Sequence, residues 1–237
     1  MQNYSRLITA KSICKFGFWN VRTLHAPGRA ELLVDELLNY DINIAAISEC
    51  RWTQSGEACI LSSDKRHSYK LFYSGGNTHE YGVAFAVKNC LASCVLSFTP
   101  VSERIAVIDV RSIKTISILS VYAPTNEADS ESKDKFYQEL QDTINLIPSS
   151  NVIIIAGDMN AQTGSDANIS NGTLGIYGTG VINDNDLRML SFANCNNLVA
   201  CNSWFRHKKH LISGDQMMVT LAQKLTIYQY KEDGVPL

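Results

Sequence analysis

Asp158 and Asn160 lie one residue apart, just past Gly157, at the end of the apolar run Val152, Ile153, Ile154 and Ile155. Such a run belongs in a core strand, whereas a carboxylate and an amide resist burial without partners. Three other apolar runs end in the same way. The segment 13–20 closes on Trp19-Asn20, the segment 42–48 is followed by Glu49, and the segment 115–122 closes on Tyr122, with Asn126 a little beyond. Asn, Glu and Asp offer hard oxygen donors, which suit Mg²⁺ or Mn²⁺ rather than zinc. A magnesium ion held by one or two carboxylates fills its shell with water and a substrate phosphate. A second carboxylate can then orient or deprotonate the attacking water. That combination points to phosphoester hydrolysis. Taken singly, Asn20 and Glu49 read as caps or surface residues before they read as ligands, and Tyr122 as an aromatic at the core edge. Asp158-x-Asn160 is harder to reduce to a turn, because a turn requires neither both polar groups nor the apolar approach.

Side chains so distant in sequence meet only if their strands finish at one edge, the place where open α/β sheets hold ligands. Strand-like runs occur at 13–20, 42–48, 69–73, 82–88, 104–111, 115–122, 151–156 and 198–202, rich in Ile, Val, Phe and Tyr. Many are apolar on both faces, as in sheets covered on both sides. Helical periodicity is clear over 28–39, where Leu33, Val34, Leu37 and Leu38 form one stripe. It recurs over 130–147, with Phe136, Leu140, Ile144 and Ile147 on one face and Pro148 ending the run. A third helix over 184–197 carries Leu187, Leu190 and Ala193 on one face. The neighbouring strands within 82–122 read as hairpins or a meander, so the expected class is a layered α/β or α+β domain, not an alternating Rossmann unit. The Gly- and Asn-rich loop 161–181 belongs on the surface beside the site.

A chain of 237 residues with no long linker fits one domain. Hydrophobic content of 45% permits a core without covalent staples. The net charge of −2 provides no general attraction for nucleic acid, so a local patch or a metal ion would have to draw it in. Seven cysteines without a C-x-x-C pair, and no secretory signal at the start, read as reduced thiols in an intracellular protein, nuclear or cytoplasmic. No apolar run approaches the ~18–20 residues of a membrane helix. The glycine-rich 171–180 lacks the G-x-x-x-x-G-K-[ST] pattern, so no nucleotide loop and no small organic cofactor is expected. His207-Lys208-Lys209-His210 reads as a solvated basic turn able to touch DNA phosphate.

The blocks "WNVRTL" (19–24), "ISECRW" (47–52), "YAPTN" (122–126) and "IIIAGDMNAQTG" (153–164) stand in a telling order. In that order the chain resembles the endonuclease/exonuclease/phosphatase superfamily, above all the apurinic-type endonuclease domain of RTE-like non-LTR retrotransposons. "KDKFYQELQDTI" and "GTGVINDNDLRMLSFANCNNL" extend the resemblance over about residues 13–212. It implies a four-layer α/β/β/α sandwich of two packed mixed sheets with the site at one end. It also implies Mg²⁺ or Mn²⁺ as cofactor, DNA as partner and a nick that leaves a 3′ hydroxyl. Residue by residue, Glu49 matches the principal metal ligand, and Asn20 the asparagine that positions metal and nucleophile. Tyr122 matches the tyrosine beside the scissile phosphate, and Asp158 the aspartate that orients or deprotonates water. Asn160 matches the amide that supports the transition state at the substrate phosphate, and Asn126 a further phosphate contact.

After Ile212 the resemblance stops abruptly. The superfamily continues with a Thr-Trp block, a Gln-Ile-Asp-Tyr strand and a terminal Ser-Asp-His, whereas residues 213–237 read "SGDQMMVTLAQKLTIYQYKEDGVPL". No histidine follows His210, and Asp215 and Asp233 are the only later aspartates. The expectation is an incomplete domain over 13–212 with a divergent tail over 213–237, truncated or frameshifted in origin, its last strands missing and its activity impaired. Asp186 is a smaller departure, since glycine usually follows Asn-Asp-Asn in such domains.

Overall fold

The computed structural model describes residues 14–162, 172–177, 182–204 and 220–223. The apolar runs form two mixed sheets. The first contains Phe16–Asn20 (β1), Ile44–Ser48 (β2), Ser55–Leu61 (β3), Ser68–Ser74 (β4) and Val83–Lys88 (β5), in the spatial order β1-β2-β5-β4-β3. The second contains Val95–Pro100 (β6), Ile105–Val110 (β7), Ile116–Tyr122 (β8), Val152–Asp158 (β9), Leu198–Ala200 (β10) and Thr220–Gln223 (β11), in the order β10-β11-β9-β8-β7-β6. β1 runs parallel to β2 and β8 runs parallel to β9, while the other neighbours are antiparallel. Three helices complete the layers: Arg29–Asn39 (α1), Ser130–Asn145 (α2) and Asp184–Cys195 (α3).

Strand alternation divides the apolar residues between the layers. In β2, Ala45 and Ile47 face the α1 stripe of Leu33, Val34 and Leu37. Ile44 and Ala46 instead join Phe85 and Val87 against Ala106, Ile108, Val110 and Ile118 of the second sheet. The far face of that sheet, with Leu119, Val121 and Ile155, receives Phe136, Leu140 and Ile144 from α2 and Met189, Leu190 and Ala193 from α3. The result is the four-layer α/β/β/α sandwich of two packed mixed sheets.

Several details differ from the sequence reading, each for a physical reason. β3 and β6 carry no strong apolar pattern because they are the outermost strands of their sheets, with most side chains exposed or half-buried. Leu187 is 55% exposed, so it does not share a face with Leu190 and Ala193. α3 begins with a capping box between Asn183 and Asp186, which turns Met189, Leu190, Phe192 and Ala193 inward instead. The tail was expected to lack the last strands, yet Thr220–Gln223 pairs between β9 and β10. Most of the loop 161–181, the basic turn His207–His210, Asp215 and Asp233 lie outside the described residues. Among the described residues, no helix is long and apolar enough to cross a membrane.

Candidate active site

The two parallel strand pairs bring their carboxyl ends together across the sandwich. In β1 and β2 the terminal register is Asn20 opposite Ser48, and in β8 and β9 it is Tyr122 opposite Asp158. Ser48, fully buried, joins the sheets at this level. Its hydroxyl donates to the Val121 carbonyl at 3.0 Å and accepts from the Asp158 backbone N–H at 3.3 Å. Ser120 donates similarly to the Ile47 carbonyl at 3.2 Å. Gly157 permits the close approach of β9 to β8. Its φ is +146°, and a Cβ there would lie 2.1 Å from the Val121 carbonyl oxygen.

Asn20 is the centre of the cluster. Its Nδ2 donates to Glu49 Oε1 at 2.8 Å and to Asp158 Oδ2 at 3.0 Å, so a single amide bridges the carboxylates. Its Oδ1 accepts the Arg22 N–H at 3.1 Å. The nitrogen of Asn20, not its oxygen, therefore faces the carboxylates. Asn20 acts as a spacer between like charges in this arrangement and presents no oxygen to a cation between them.

Glu49 receives Arg51 on its other oxygen, with Arg51 Nη2 at 2.8 Å from Oε2. Burial tends to raise the Glu49 carboxyl pKa, but hydrogen bonds from Asn20, Arg51 and Tyr122 and the Arg51 charge outweigh it and hold it below the ordinary value. Glu49 and Arg51 both have φ of 56°, in the left-handed region. Such residues cost about 1 kcal/mol or more each and persist where surrounding contacts fix them. Here the Cys50 N–H donates to the Gly82 carbonyl, the Leu24 N–H donates to the Cys50 carbonyl, and His79 Nδ1 lies 2.7 Å from the Arg51 carbonyl.

Tyr122 hydrogen-bonds Glu49, and burial together with the nearby Glu49 and Asp158 charges pushes its phenol up to about 12. Arg104 lies beneath it. The guanidinium carbon is 4.0 Å from the Tyr81 ring centroid and 5.2 Å from that of Tyr122, and Nη1 donates to the Tyr122 carbonyl at 3.0 Å.

Asp158 Oδ1 accepts the Asn160 N–H at 2.9 Å, and Asn160 itself has φ of 45°. The Asn160 side chain is buried, with Nδ2 donating to the Ala123 carbonyl at 2.7 Å, so it ties the β9 loop to the β8 loop. Asn185 of α3 secures the same two loops, its Nδ2 donating to Pro124 O at 3.0 Å and Asn160 O at 2.9 Å. Asp186, fully buried, accepts the backbone N–H groups of Gln162 and Asn183, and burial raises its carboxyl pKa against their opposing effect.

The sequence-derived residues Asn20, Glu49, Tyr122 and Asp158 thus meet directly, and Asn160 joins them through Asp158. Asn126 does not: it is exposed, and its backbone carbonyl accepts Lys133 Nζ at 2.8 Å. Arg51, Ser48, Arg104 and Asn185 were not singled out by sequence. Only Arg51 and Ser48 had a visible signal, as polar neighbours of Glu49 within "ISECRW".

The donor set fits a hard divalent cation. Glu49 and Asp158 present carboxylate oxygens one amide apart, and the position beside Glu49 Oε2 already holds a positive group. Among the described residues, no three His, Cys, Asp or Glu side chains converge on one point. A cation there would rest on one or two carboxylates and complete its shell with water and phosphate, as Mg²⁺ commonly does.

Comparison with known proteins agrees with this arrangement. The sequence profile of the Endonuclease/Exonuclease/phosphatase family matches residues 17–197. Craniofacial development protein 2 of Bos taurus is 30% identical over 204 residues, covering 85% of this chain and 33% of that protein. This chain therefore spans about a third of the length of that relative. Among solved structures, a 3′ phosphatase from Neisseria bound to a product DNA hairpin aligns with a TM-score of 0.59 at 14% identity, over 90% of this chain and 87% of that one. An AP endonuclease from Archaeoglobus fulgidus aligns with a TM-score of 0.56 at 16% identity, over 89% and 87%. At such identities the likeness is one of fold.

Proposed function

The chain belongs to the endonuclease/exonuclease/phosphatase family, and from that premise we propose that it is a divalent-metal-dependent endonuclease that nicks DNA. The observation that carries the reading is the bridged carboxylate pair, Glu49 and Asp158 joined through Asn20, with the Tyr122 phenol against Glu49. Phosphoester chemistry also agrees with the relatives of the same fold, which include an AP endonuclease and a 3′ phosphatase in complex with DNA.

Bound Mg²⁺ or Mn²⁺ would supply charge neutralisation at the scissile phosphate, with Glu49 as its principal carboxylate ligand. Asp158 accepts a proton from the attacking water, and the oxygen so activated forms a bond to phosphorus. The bond from phosphorus to the 3′ oxygen breaks, and that oxygen leaves as a hydroxyl after taking a proton from solvent. Asn20 keeps the Asp158 carboxylate turned toward Glu49 during this step. Tyr122, with its phenol pKa pushed up to about 12, keeps its proton and turns its hydrogen bond from Glu49 to the phosphate when substrate binds. Asn160 holds the loop that presents Asp158.

The proposal includes a retrotransposon descent and an intracellular setting. A second reading, a DNA-binding module that keeps the fold without turnover, is favoured by Arg51, which already stands on Glu49 Oε2 where a cation would be held.

The test is nicking of supercoiled plasmid with and without Mg²⁺, by the chain and by Asp158→Ala, together with DNA binding by both and release of phosphate from a 3′-phosphorylated duplex. Mg²⁺-dependent nicking that disappears in the variant supports the endonuclease. DNA binding without nicking by either protein supports the binding module. Phosphate release without nicking assigns a phosphatase.

A further inference from the structure

We propose that Arg51 is a built-in stand-in for the metal ion, neutralising Glu49 in the metal-free site and passing to a DNA phosphate when a cation displaces it. The inference rests on the metal-dependent reading above.

The contact itself shows the competition. Arg51 Nη2 is 2.8 Å from Glu49 Oε2, while Oε1 is taken by Asn20. A cation arriving on Oε2 meets a second positive charge on the same oxygen, and two cations so close repel strongly in a partly buried site. One of them must leave, and exposure indicates which. The Glu49 side chain is only 13% exposed, whereas that of Arg51 is 40% exposed.

The guanidinium is also incompletely satisfied where it stands. Arg51 Nε is buried and, among the described residues, has no acceptor. An arginine serving only to brace the fold would be expected to use its buried donors, because an unmade buried hydrogen bond is costly. A phosphate presents the paired oxygens that a guanidinium fork fits. The backbone need not move for the exchange. The Cys50 N–H is fixed by Gly82, the Arg51 carbonyl lies against His79, and the left-handed conformations of Glu49 and Arg51 set the direction of both side chains. Only the Arg51 side chain has to turn.

The test uses the full chain with Mn²⁺ as the probe, its binding followed by the electron paramagnetic resonance of the free ion. Binding to a short fluorescent DNA duplex is followed by anisotropy at fixed salt with saturating Ca²⁺. Arg51→Met should bind Mn²⁺ on the order of tenfold more tightly, the change expected when a partly exposed ion pair no longer competes. The same variant should bind DNA several-fold more weakly, with a salt slope lower by about one phosphate contact. A variant that is merely damaged would lose both affinities, so the opposite signs are diagnostic. Arg51→Lys keeps the charge and should retain Mn²⁺ affinity close to that of the parent chain. Arg51→Gln repeats the measurement if the Met variant does not fold.

Mn²⁺ binding no tighter in Arg51→Met or Arg51→Gln, with Glu49→Gln weaker than the parent, overturns the stand-in and leaves the nuclease reading intact. Tightening in Arg51→Lys equal to that in Arg51→Met also overturns it, since charge would then not be the cause. Unchanged DNA binding overturns the transfer to phosphate. Absence of Mn²⁺ binding by both the parent and Arg51→Met overturns the metal-dependent reading, and this inference with it.

Discussion

Replacing Asn185 with alanine should loosen both loops of the candidate site at once. Asn185 is 2% exposed, and its Nδ2 donates to the carbonyls of Pro124 and Asn160. Pro124 follows β8 and Asn160 follows β9, so this one amide holds the segments that carry Tyr122 and Asp158 in a fixed relation. Alanine removes both of these buried hydrogen bonds. At ~1–1.5 kcal/mol for each hydrogen bond, the loss is about 2–3 kcal/mol. For a chain of this size that lowers the unfolding temperature by roughly 5–10 °C. Urea unfolding with an unchanged slope measures the energy, and amide hydrogen exchange over 158–162 measures the loosening. Asn126→Ala is the control, since Asn126 is exposed and should change stability by less than ~0.5 kcal/mol. The reasoning fails if Asn185→Ala matches that control. It fails equally if exchange at Asn160 and Gln162 stays at the parent rate while stability falls, because the amide would then support α3 and not the loops.

Two further substitutions test the geometry. Gly157→Ala should destabilise by more than ~3 kcal/mol, because it forces a side chain into a left-handed backbone with its Cβ 2.1 Å from the Val121 carbonyl oxygen; a soluble variant with an unchanged unfolding midpoint would contradict the close β8–β9 approach. Tyr122→Phe tests the raised phenol. A folded pKa of about 12, above the ordinary 10.0, favours the neutral form, so the stabilisation is fully present below pH 10 and is lost as the pH rises through 12. Unfolding midpoints of the parent chain should therefore fall more steeply between pH 10 and 12 than those of Tyr122→Phe, and parallel curves would remove the phenol from the cluster.

The sequence exposed the centre of the candidate site, the four side chains that meet, because the same signal occurs four times: Asn20, Glu49, Tyr122 and Asp158 each end an apolar run. Strand ends are local features, and parallel pairing of β1 with β2 and of β8 with β9 turns them into neighbours. The supporting residues lack such a signal. Asn185 sits in the first turn of α3 and reads locally as helix-terminal polarity, while its two acceptors belong to loops distant in sequence. The bond from Arg51 to Glu49 depends on left-handed backbone at both residues, which no side-chain pattern announces. Asn126 differs from these: it belongs to the string "YAPTN", and its exposed side chain lies outside the cluster. β3 and β6 escaped notice because edge strands can be half polar without loss.

The balance of charge in the cluster links its architecture to its chemistry. Among the described residues, the Glu49 and Asp158 carboxylates are met by neutral donors, the Asn20 amide, the Tyr122 phenol and the Asn160 N–H, and by one cation, Arg51. Asn20 can hold the carboxylates apart but cannot cancel their charge, and Arg51 cancels only that of Glu49. A site built for stability alone would be better served by apolar residues, since partly buried charges cost more in desolvation than a single pair returns. The cluster is placed instead at the seam of two sheets, where Ser48 fixes the height of Asp158 and Gly157 brings β9 close to β8. Strained backbone at Glu49, Arg51 and Asn160 surrounds it. Among the described residues, that arrangement leaves one of the two carboxylates without a cationic partner. Under the proposed function, its electrostatic complement would be a cation bound beside Glu49, or a substrate that arrives with one.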